Sequence, residues 1–223
     1  MGVIVAKKTE FPGEILLDPT AQVWGRMIAY EFNLLPTPLG RQPSGYLMYA
    51  QNPKEVGKVT SLMVKASHNT KEIFFRLEWE DDKPHEMITE EHPFVDGGGV
   101  LLPMKSDAPH TVMVTMGSPA FKINAWYWRA DEPTKPRNIV AEGLGTTVTS
   151  KKSYLNSGAK WEEGKWKVVI GRTLSLKEQP EEAVQLEVGD RRLISFSVWE
   201  GGNKERGGIK AFCACKSELF IEP

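Results

Sequence analysis

Residues 111–130 of this 223-residue chain read TVMVTMGSPAFKINAWYWRA, and this stretch decides how the rest of the sequence is interpreted. Over residues 112–116, the alternating side chains Val112, Val114 and Met116 would form one apolar face, which predicts a strand. A turn signal follows at residues 117–119, and a second apolar run over residues 123–128 contains three consecutive aromatic side chains. Met116 is therefore predicted at a strand end, beside an aromatic wall. Its thioether can either face a flat apolar cofactor or fill the core, as most buried methionines do.

Short runs with a period of two residues recur along the chain and predict further strands. They cover residues 24–32, 59–68, 73–80, 139–148, 166–174, 194–198 and 209–221, and residues 1–20 are predicted to form an edge strand and a turn. In the clearest run, Phe75, Leu77 and Trp79 face one way, and the charged Arg76 and Glu78 face the other. No helical pattern extends beyond a few turns. The sequence therefore predicts an all-β fold, mainly an antiparallel β-sandwich with a few short helices, in one domain over residues 1–223.

Composition and charge exclude several classes of function. Forty per cent hydrophobic residues suffice for a substantial core, and a net charge of −1 gives no basis for binding nucleic acid. No apolar run approaches the roughly 18 residues that a membrane helix needs, so no membrane span is expected.

The cysteine pattern limits the metal centres that this chain can hold by itself. Cys213 and Cys215 are its two cysteines, and a bridge between residues so close is strained, so both are predicted to be free thiols. They are too few for a zinc or iron–sulfur site. No Cys-x-x-Cys-His sequence occurs, which excludes a covalently attached c-type heme.

Catalytic motifs are missing from the sequence. The four histidines share no metal-ligand spacing and are predicted to be surface or turn residues: His68, His85, His92 and His110. The paired acidic residues at 81–82 and 90–91 are predicted to be solvated in polar loops. Gly97-Gly98-Gly99 lacks the lysine of a phosphate-binding loop and is interpreted as a flexible turn. The pattern favours a protein that holds a cofactor over a catalyst.

The segment Met116-Gly117 with residues 124–130, NAWYWRA, resembles the signature of the heme b-binding gamma subunit of ethylbenzene dehydrogenase. Related chains serve steroid C25 dehydrogenase and other type II members of the dimethyl sulfoxide reductase family. Further pieces of the chain match in the same order: Leu17-Asp18 with Trp24, Pro36-Thr37-Pro38-Leu39, residues 94–99, residues 139–143 and residues 198–206.

This resemblance implies a single non-covalent heme b with two axial ligands to its iron. Met116 is the first ligand, with Met104 and Met113 as weaker alternatives, and Lys210 is the second, with Lys204 as the fallback. Met113 would point away from the site if residues 112–116 were a strand. The resemblance also implies cofactor-binding positions at Gly117, Asn124 and Trp126.

A lysine ligand must be uncharged, because only the neutral amine can bind iron. Keeping a free lysine neutral near pH 7 costs about 4–5 kcal/mol. Burial in an apolar pocket lowers this cost, and the bond to iron supplies the remainder.

The resemblance further implies a non-catalytic electron-transfer subunit of a heterotrimeric dehydrogenase that hydroxylates a hydrocarbon or a steroid side chain anaerobically. A catalytic alpha subunit would carry the molybdenum cofactor and an iron–sulfur cluster, a beta subunit would carry further clusters, and an external carrier such as a cytochrome would exchange electrons. Three alternatives stay open: the gamma subunit of a chlorate- or selenate-type oxyanion reductase, a carbohydrate-binding β-sandwich module, and a heme-free assembly subunit.

The N-terminal residues MGVIVAKK do not have the pattern of a secretory signal, which by itself indicates the cytoplasm. The resemblance implies the periplasm, reached by export together with a partner subunit. An N-terminus without its own signal favours the dehydrogenase branch over the oxyanion reductases.

Overall fold

A computed structural model of the chain describes residues 2–42, 45, 54–214 and 216–223. The strands are β1 (Gly2–Lys8), β2 (Tyr30–Asn33), β3 (Leu35–Pro36), β4 (Ser61–His68), β5 (Glu72–Glu80), β6 (Gly97–Pro103), β7 (Ile123–Arg129), β8 (Arg137–Ala141), β9 (Val148–Thr149), β10 (Asn156–Glu162), β11 (Lys165–Thr173), β12 (Arg191–Trp199), β13 (Ala211–Phe212) and β14 (Ser217–Ile221). The described α-helices are α1 (Gly13–Leu17) and α2 (Thr111–Thr115), and short 3-10 helices cover Gln22–Arg26, Leu39–Arg41 and Gly201–Asn203. None of the described helices is long and apolar enough to cross a membrane.

The strands form two layers that are joined at one side. One layer has the order β10-β11-β5-β4, with β2 beside β4. The other has the order β12-β6-β7-β8-β9, with β13 beside β12 and β3 beside β13. All pairings within these layers are antiparallel. The prediction of an all-β, mainly antiparallel sandwich is confirmed.

Strand β1 connects the two layers and departs from the antiparallel pattern. Its residues 2–6 pair in parallel with β14, and Lys7 and Lys8 pair in parallel with β4. The prediction of an edge strand here is wrong, because β1 has neighbours on both sides. Ile4 and Ala6 are fully buried, so the core extends across the junction of the layers.

Aromatic side chains fill the space between the layers. The Phe75 ring of β5 lies 5.6 Å from that of Trp126 on β7, and the Trp128 ring lies 6.2 Å from Trp79 and 5.0 Å from Trp166. The inward face predicted for β5 is therefore confirmed. Burying large aromatic rings in this way contributes about 1.5–3 kcal/mol for each side chain.

The outer face of β5 is more buried than its sequence pattern indicates. Helix α1 and the 3-10 turn after it cover this face, so Phe74 is 1% exposed and Arg76 is 7% exposed. The Arg76 side chain donates its Nε–H to the carbonyl of Pro19 at 2.7 Å and pairs with Glu78 at 2.8 Å. Local alternation could not reveal this cover, because the covering residues lie about 60 positions earlier in the chain.

Several predicted elements differ from the structure. Residues 24–32, predicted as a strand, contain the end of the 3-10 helix Gln22–Arg26 and the start of β2. Residues 139–148, also predicted as one strand, contain the end of β8 and the start of β9. Residues 111–115 form helix α2 instead of a strand. Val112 and Met113 are both buried, whereas a strand would place these adjacent side chains on opposite faces. Gly97-Gly98-Gly99 is the start of β6 and not a flexible turn. The last predicted strand, 209–221, is divided into β13 and β14.

Candidate functional site

Met116 follows the last residue of α2, and hydrogen bonds of its backbone fix its position there. It adopts the left-handed conformation, with φ of 58°, and its N–H donates to the carbonyl of Val112. The next residue, Gly117, also donates its N–H to that carbonyl, at 2.8 Å, and the Met116 carbonyl accepts from Gly143 at 2.9 Å. These bonds at the helix end fix the direction in which the thioether leaves the chain.

Lys210 lies immediately before β13, and contacts of its backbone and of the next residue fix its position. Its carbonyl accepts from the backbone N–H of Thr37 at 3.0 Å and from the Thr37 hydroxyl at 2.7 Å. The next residue, Ala211, pairs with Pro36 on β3 and with Val198 on β12. The Pro36-Thr37 piece of the sequence resemblance therefore anchors the predicted lysine ligand.

The two predicted axial ligands meet, although they are 94 residues apart in the chain. Lys210 Nζ lies 3.9 Å from Met116 Sδ. Two apolar clefts, of about 250 Å³ and about 80 Å³, lie beside this pair. We call them the larger and the smaller cleft. Of the residues that the structure describes, six border both clefts: Gln42, Leu101, Met116, Leu144, Gly208 and Lys210.

Trp199 forms one wall of the larger cleft beneath Lys210. Its indole ring lies 4.8 Å from Lys210 Nζ and 4.7 Å from the Tyr127 ring, and its Nε1–H donates to the Gly207 carbonyl at 3.0 Å. A Cβ on Gly99 would lie only 3.2 Å from this ring. A side chain at position 99 would therefore crowd the Trp199 ring.

Burial makes Lys210 an unusual lysine. Its side chain is buried, and desolvation lowers its pKa from the ordinary 10.5 to about 8. The cost of holding its amine neutral at pH 7 then falls to about 1 kcal/mol, from about 4–5 kcal/mol for a free lysine. The site itself therefore supplies most of the free energy that lysine ligation requires.

This pKa predicts how the stability of the heme-free protein changes with pH. The folded chain releases the Lys210 proton near pH 8 and the unfolded chain near pH 10.5, so the unfolded state binds more protons between these values and stability rises with pH across them. Lys210→Met removes this dependence and should be more stable than the wild type by about 2–3 kcal/mol at pH 7. Urea unfolding at pH 7 and pH 10 measures the difference, which should shrink at the higher pH.

Lys204→Met is the matched control, because the Lys204 side chain is exposed. It should leave the free energy of unfolding unchanged at both pH values. A Lys210→Met variant with no gain at pH 7 would show that Lys210 is solvated.

Asn124 borders neither cleft, and Trp126 directs its ring toward the core. Trp126 borders the larger cleft, but its ring packs against Phe75 of the opposite layer and its Nε1–H donates to Asn124 Oδ1 at 3.1 Å. Asn124 donates to Asn138 Oδ1 at 2.7 Å and to the Ile139 carbonyl at 3.1 Å. Since side chains alternate along β7, Ala125 and Tyr127 are the ones that face the cleft.

The alternative ligands are also located. Lys204 is exposed and neither it nor Met104 borders either cleft. Met113 lies three residues before Met116, on the helix α2, and borders the smaller cleft. The argument that Met113 has the wrong orientation is therefore wrong, because it assumed a strand. The 3.9 Å contact with Lys210 belongs to Met116.

Gly117 has a backbone requirement of its own. Its φ is +96°, and a Cβ there would lie 2.7 Å from the Ala141 carbonyl oxygen.

We expect Gly117→Ala to lower the free energy of unfolding by about 2–4 kcal/mol, from backbone strain and this clash. Chemical denaturation measures it. Gly25→Ala is the control, since nothing lies within 4 Å of a Cβ at Gly25. A loss below about 0.5 kcal/mol at Gly117 would mean that the loop relaxes freely.

Three further predictions about polar residues and cysteines are corrected. His68 is fully buried on β4, where it accepts the Thr70 N–H at 3.2 Å, and Asp81 is only 4% exposed. His85 is partly buried beside Asp96. Cys213 is disulfide-bonded and 1% exposed, so the prediction of free thiols is wrong. Cys215 lies outside the described residues.

Comparison with solved structures supports the fold. A family 9 carbohydrate-binding module from Caldicellulosiruptor kristjanssonii aligns over 99% of this chain and 95% of its own, with a TM-score of 0.54 and 8% identity. A protein of Bacteroides uniformis described as carbohydrate-binding aligns over 99% of each chain, with a TM-score of 0.59 and 8% identity. At this identity the likeness concerns the β-sandwich alone.

Curated relatives are closer in sequence. The chlorate reductase gamma subunit of Ideonella dechloratans is 32% identical over 154 residues, which cover 69% of this chain and 61% of the relative. A Haloferax mediterranei protein named for the heme subunit of a respiratory nitrate reductase is 28% identical over 194 residues, covering 87% and 64%. The dimethylsulfide dehydrogenase gamma subunit of Rhodovulum sulfidophilum is 22% identical over 200 residues, covering 86% and 71%. The chain thus spans just under two thirds of the length of the first two relatives.

The sequence profile of the family described as ethylbenzene dehydrogenase matches residues 21–153, which is more than half of the chain. The matched range includes Met116 and the NAWYWRA segment on which the resemblance was based. The chain therefore belongs to the ethylbenzene dehydrogenase family, as its resemblance to the gamma subunits of that family predicted.

Proposed function

We propose that the chain is the non-catalytic electron-transfer subunit of a molybdenum and iron–sulfur oxidoreductase, and that it binds one non-covalent heme b through Met116 and Lys210. The observation that carries this proposal is the 3.9 Å distance between Met116 Sδ and Lys210 Nζ inside an apolar cleft. A thioether and a lowered-pKa amine are an unusual pair to bury together unless both serve a ligand.

The distance between the two donor atoms suits a metal placed between them. Zinc bonds in proteins are about 2.0–2.1 Å to nitrogen and about 2.3 Å to sulfur, so, with these lengths as a guide, two donors on one metal ion lie at most about 4.4 Å apart. The observed separation of 3.9 Å is within this limit, so Met116 and Lys210 would both reach one iron after small side-chain rotations.

The two clefts suit a flat apolar cofactor. Met116 and Lys210 border both clefts, so a cofactor held by these two side chains would have both clefts available to it. Gly99 and Gly208 would let the backbone approach the cofactor closely. Leu101, Ala125 and Leu144 keep its surroundings apolar.

The protein residues would fill both axial positions and exclude other ligands. When bound, the heme would supply one-electron transfer. Met116 and Lys210 would leave no position for oxygen or substrate, and an axial methionine raises the reduction potential. Lys210 would have to reach the site as the neutral amine, which its lowered pKa favours.

The names of the relatives support the partners in this proposal. Gamma subunits of a chlorate reductase and a dimethylsulfide dehydrogenase belong to assemblies with other subunits, by name. We propose that this chain accompanies a catalytic molybdopterin alpha subunit and an iron–sulfur beta subunit, and exchanges electrons with an external carrier such as a cytochrome. We propose the periplasm as the location on the resemblance alone.

The substrate of the catalytic partner has two candidates. Two of the relatives are named for nitrate and chlorate reductases, which supports an oxyanion reductase better than the hydrocarbon or steroid hydroxylase that the sequence resemblance implied. The direction of electron flow would differ between the two. Steady-state assays of the complex with chlorate, nitrate and ethylbenzene distinguish them.

The carbohydrate-binding alternative has little support from the surface. A sugar platform needs exposed aromatic rings, but six of the seven tryptophans are buried and Trp161 is half-buried. The tryptophan side chains pack in or against the core and form the wall of the cleft instead.

The test is to purify the full chain with its co-expressed partner subunits and record a pyridine hemochrome spectrum with iron and molybdenum analysis. We expect protoheme at about one equivalent per chain, and a low-spin spectrum before pyridine is added. A colourless complex that retains its partners would support the heme-free assembly subunit. A colourless chain that binds oligosaccharides would support the carbohydrate module.

A further inference from the structure

A second cluster of ligating side chains lies where β6 begins and β12 ends. His85, Asp96 and Glu200 each offer one donor atom, and these three atoms lie within 4.8 Å of one another. His85 Nδ1 is 3.5 Å from Glu200 Oε1 and 3.9 Å from Asp96 Oδ1. Asp96 and Glu200 are buried, at 0% and 2% exposure. The proposed function uses none of these groups.

The imidazole of His85 presents a free nitrogen to this cluster. Its Nδ1 is buried and has no hydrogen-bond partner. The ring lies so close to Gly202 that a Cβ there would be 2.3 Å from its Cε1. The chain therefore leaves room for an imidazole whose Nδ1 faces two carboxylates.

Backbone and indole donors hold the carboxylates and leave lone pairs free. Asp96 Oδ2 accepts the His85 N–H at 2.6 Å and the Trp166 Nε1–H at 3.0 Å, and its Oδ1 accepts the Gly201 N–H at 2.8 Å. Glu200 Oε1 accepts the Gly202 N–H at 3.1 Å. Since a carboxylate oxygen has two lone pairs, Asp96 Oδ1 and Glu200 Oε1 each retain one.

A third carboxyl, that of Asp81, is buried beside the cluster. Asp81 is 4% exposed, its side chain contacts that of Asp96, and its Oδ2 is buried without a hydrogen-bond partner. Lys58, a basic residue whose charge acts on both Asp81 and Glu200, is exposed.

We propose that His85, Asp96 and Glu200 bind one divalent transition-metal cation, with Asp81 as an adjacent counter-charge. One imidazole nitrogen with carboxylate oxygens is a donor set that suits Zn²⁺, whereas Ca²⁺ and Mg²⁺ prefer oxygen alone. Zinc bonds of about 2.0–2.2 Å place tetrahedral ligands about 3.3–3.5 Å apart. The observed 3.5 Å and 3.9 Å separations are close to this spacing.

A cation here would connect three segments near the cleft. His85 lies in the loop after β5, Asp96 precedes β6, and Glu200 follows Trp199, the residue whose ring contacts Lys210. The cation would fix the end of β12, and through it the wall of the larger cleft. Binding of the cation does not require heme, because its donors do not border either cleft.

The test uses the tag-free full chain, stripped with chelator and then mixed with Zn²⁺, Mn²⁺ or Ca²⁺ before desalting. Mass spectrometry of the elements should find about one Zn²⁺ per chain, with Ca²⁺ lost. Glu200→Gln keeps the shape of the side chain and should weaken zinc affinity by about tenfold or more in calorimetric titration. Zinc should raise the melting temperature of the wild type and not that of Glu200→Gln.

His92→Ala is the matched control, because the His92 ring contacts that of His85 at 5.0 Å but supplies no donor to the cluster. It should retain zinc with unchanged affinity. Wild-type protein that keeps less than about 0.1 equivalent of every cation would overturn the proposal, and that result does not depend on any variant folding. Loss of zinc in His92→Ala, or equal affinity in Glu200→Gln and the wild type, would also overturn it.

Discussion

Lys210→Ala is expected to lower heme affinity by about tenfold or more, and so to reduce the heme content of the purified complex. The backbone around Lys210 is fixed by Thr37 and by β13, so no other part of that segment can deliver an amine to the cleft. Any heme that remains should be high-spin, because one axial position is then open to water. Heme content per molybdenum, with the optical spectrum, measures both effects.

Lys204→Ala separates this role from a general effect of charge or loop structure. Lys204 lies six residues earlier in the same loop but is exposed. It should retain full heme content and a low-spin spectrum. If Lys204→Ala lost the heme and Lys210→Ala kept it, the ligand assignment would be reversed.

Met116→Ala is expected to have an effect of similar size from the opposite side of the cofactor. Removal of the thioether leaves Lys210 as the single axial ligand and opens a gap at the end of α2. We expect heme affinity to fall by about tenfold or more. Met116→His supplies another axial donor, so it should keep a low-spin heme with a lower reduction potential, because methionine ligation raises the potential. Redox titration of the two proteins measures the shift.

Met104→Ala is the control for this prediction. Met104 is half-buried and borders neither cleft, so its removal should change neither the spectrum nor the potential. Met113→Ala should destabilise the buried side of α2 without changing the axial ligand. An unchanged spectrum in Met116→Ala would transfer the ligand role to Met113, which borders the smaller cleft.

Sequence periodicity predicted the strands that pack one apolar face against the core. Phe75, Leu77 and Trp79 alternate along β5 and all three point into the core, as expected. The proximity of Met116 and Lys210 could not come from periodicity, because 94 residues separate them. It followed from family resemblance, and the structure supplies the physical reason through Thr37 and Gly117.

The errors share a cause, which is that local patterns do not report on distant neighbours. Residues 111–115 have β-branched side chains typical of strands, but packing against Leu101 and Ile123 favours a helix. Proline at 109 and glycine at 117 were the available helix-boundary signals. The buried His85 cluster had no such signal, since its donors come from three separate segments.

The pairing of β1 with both β4 and β14 affects how the chain folds during its synthesis. Lys7 bonds to Glu222, 215 residues later, and β1 aligns with β14 over residues 2–6. At about 5–20 residues per second, a ribosome takes about 10–40 s to travel between them. During this interval Ile4 and Ala6 lack the neighbour that buries them. The junction of the two layers can form only after β14 has left the ribosome. Until then, the exposed apolar side chains of the nascent chain can associate with the wrong partners.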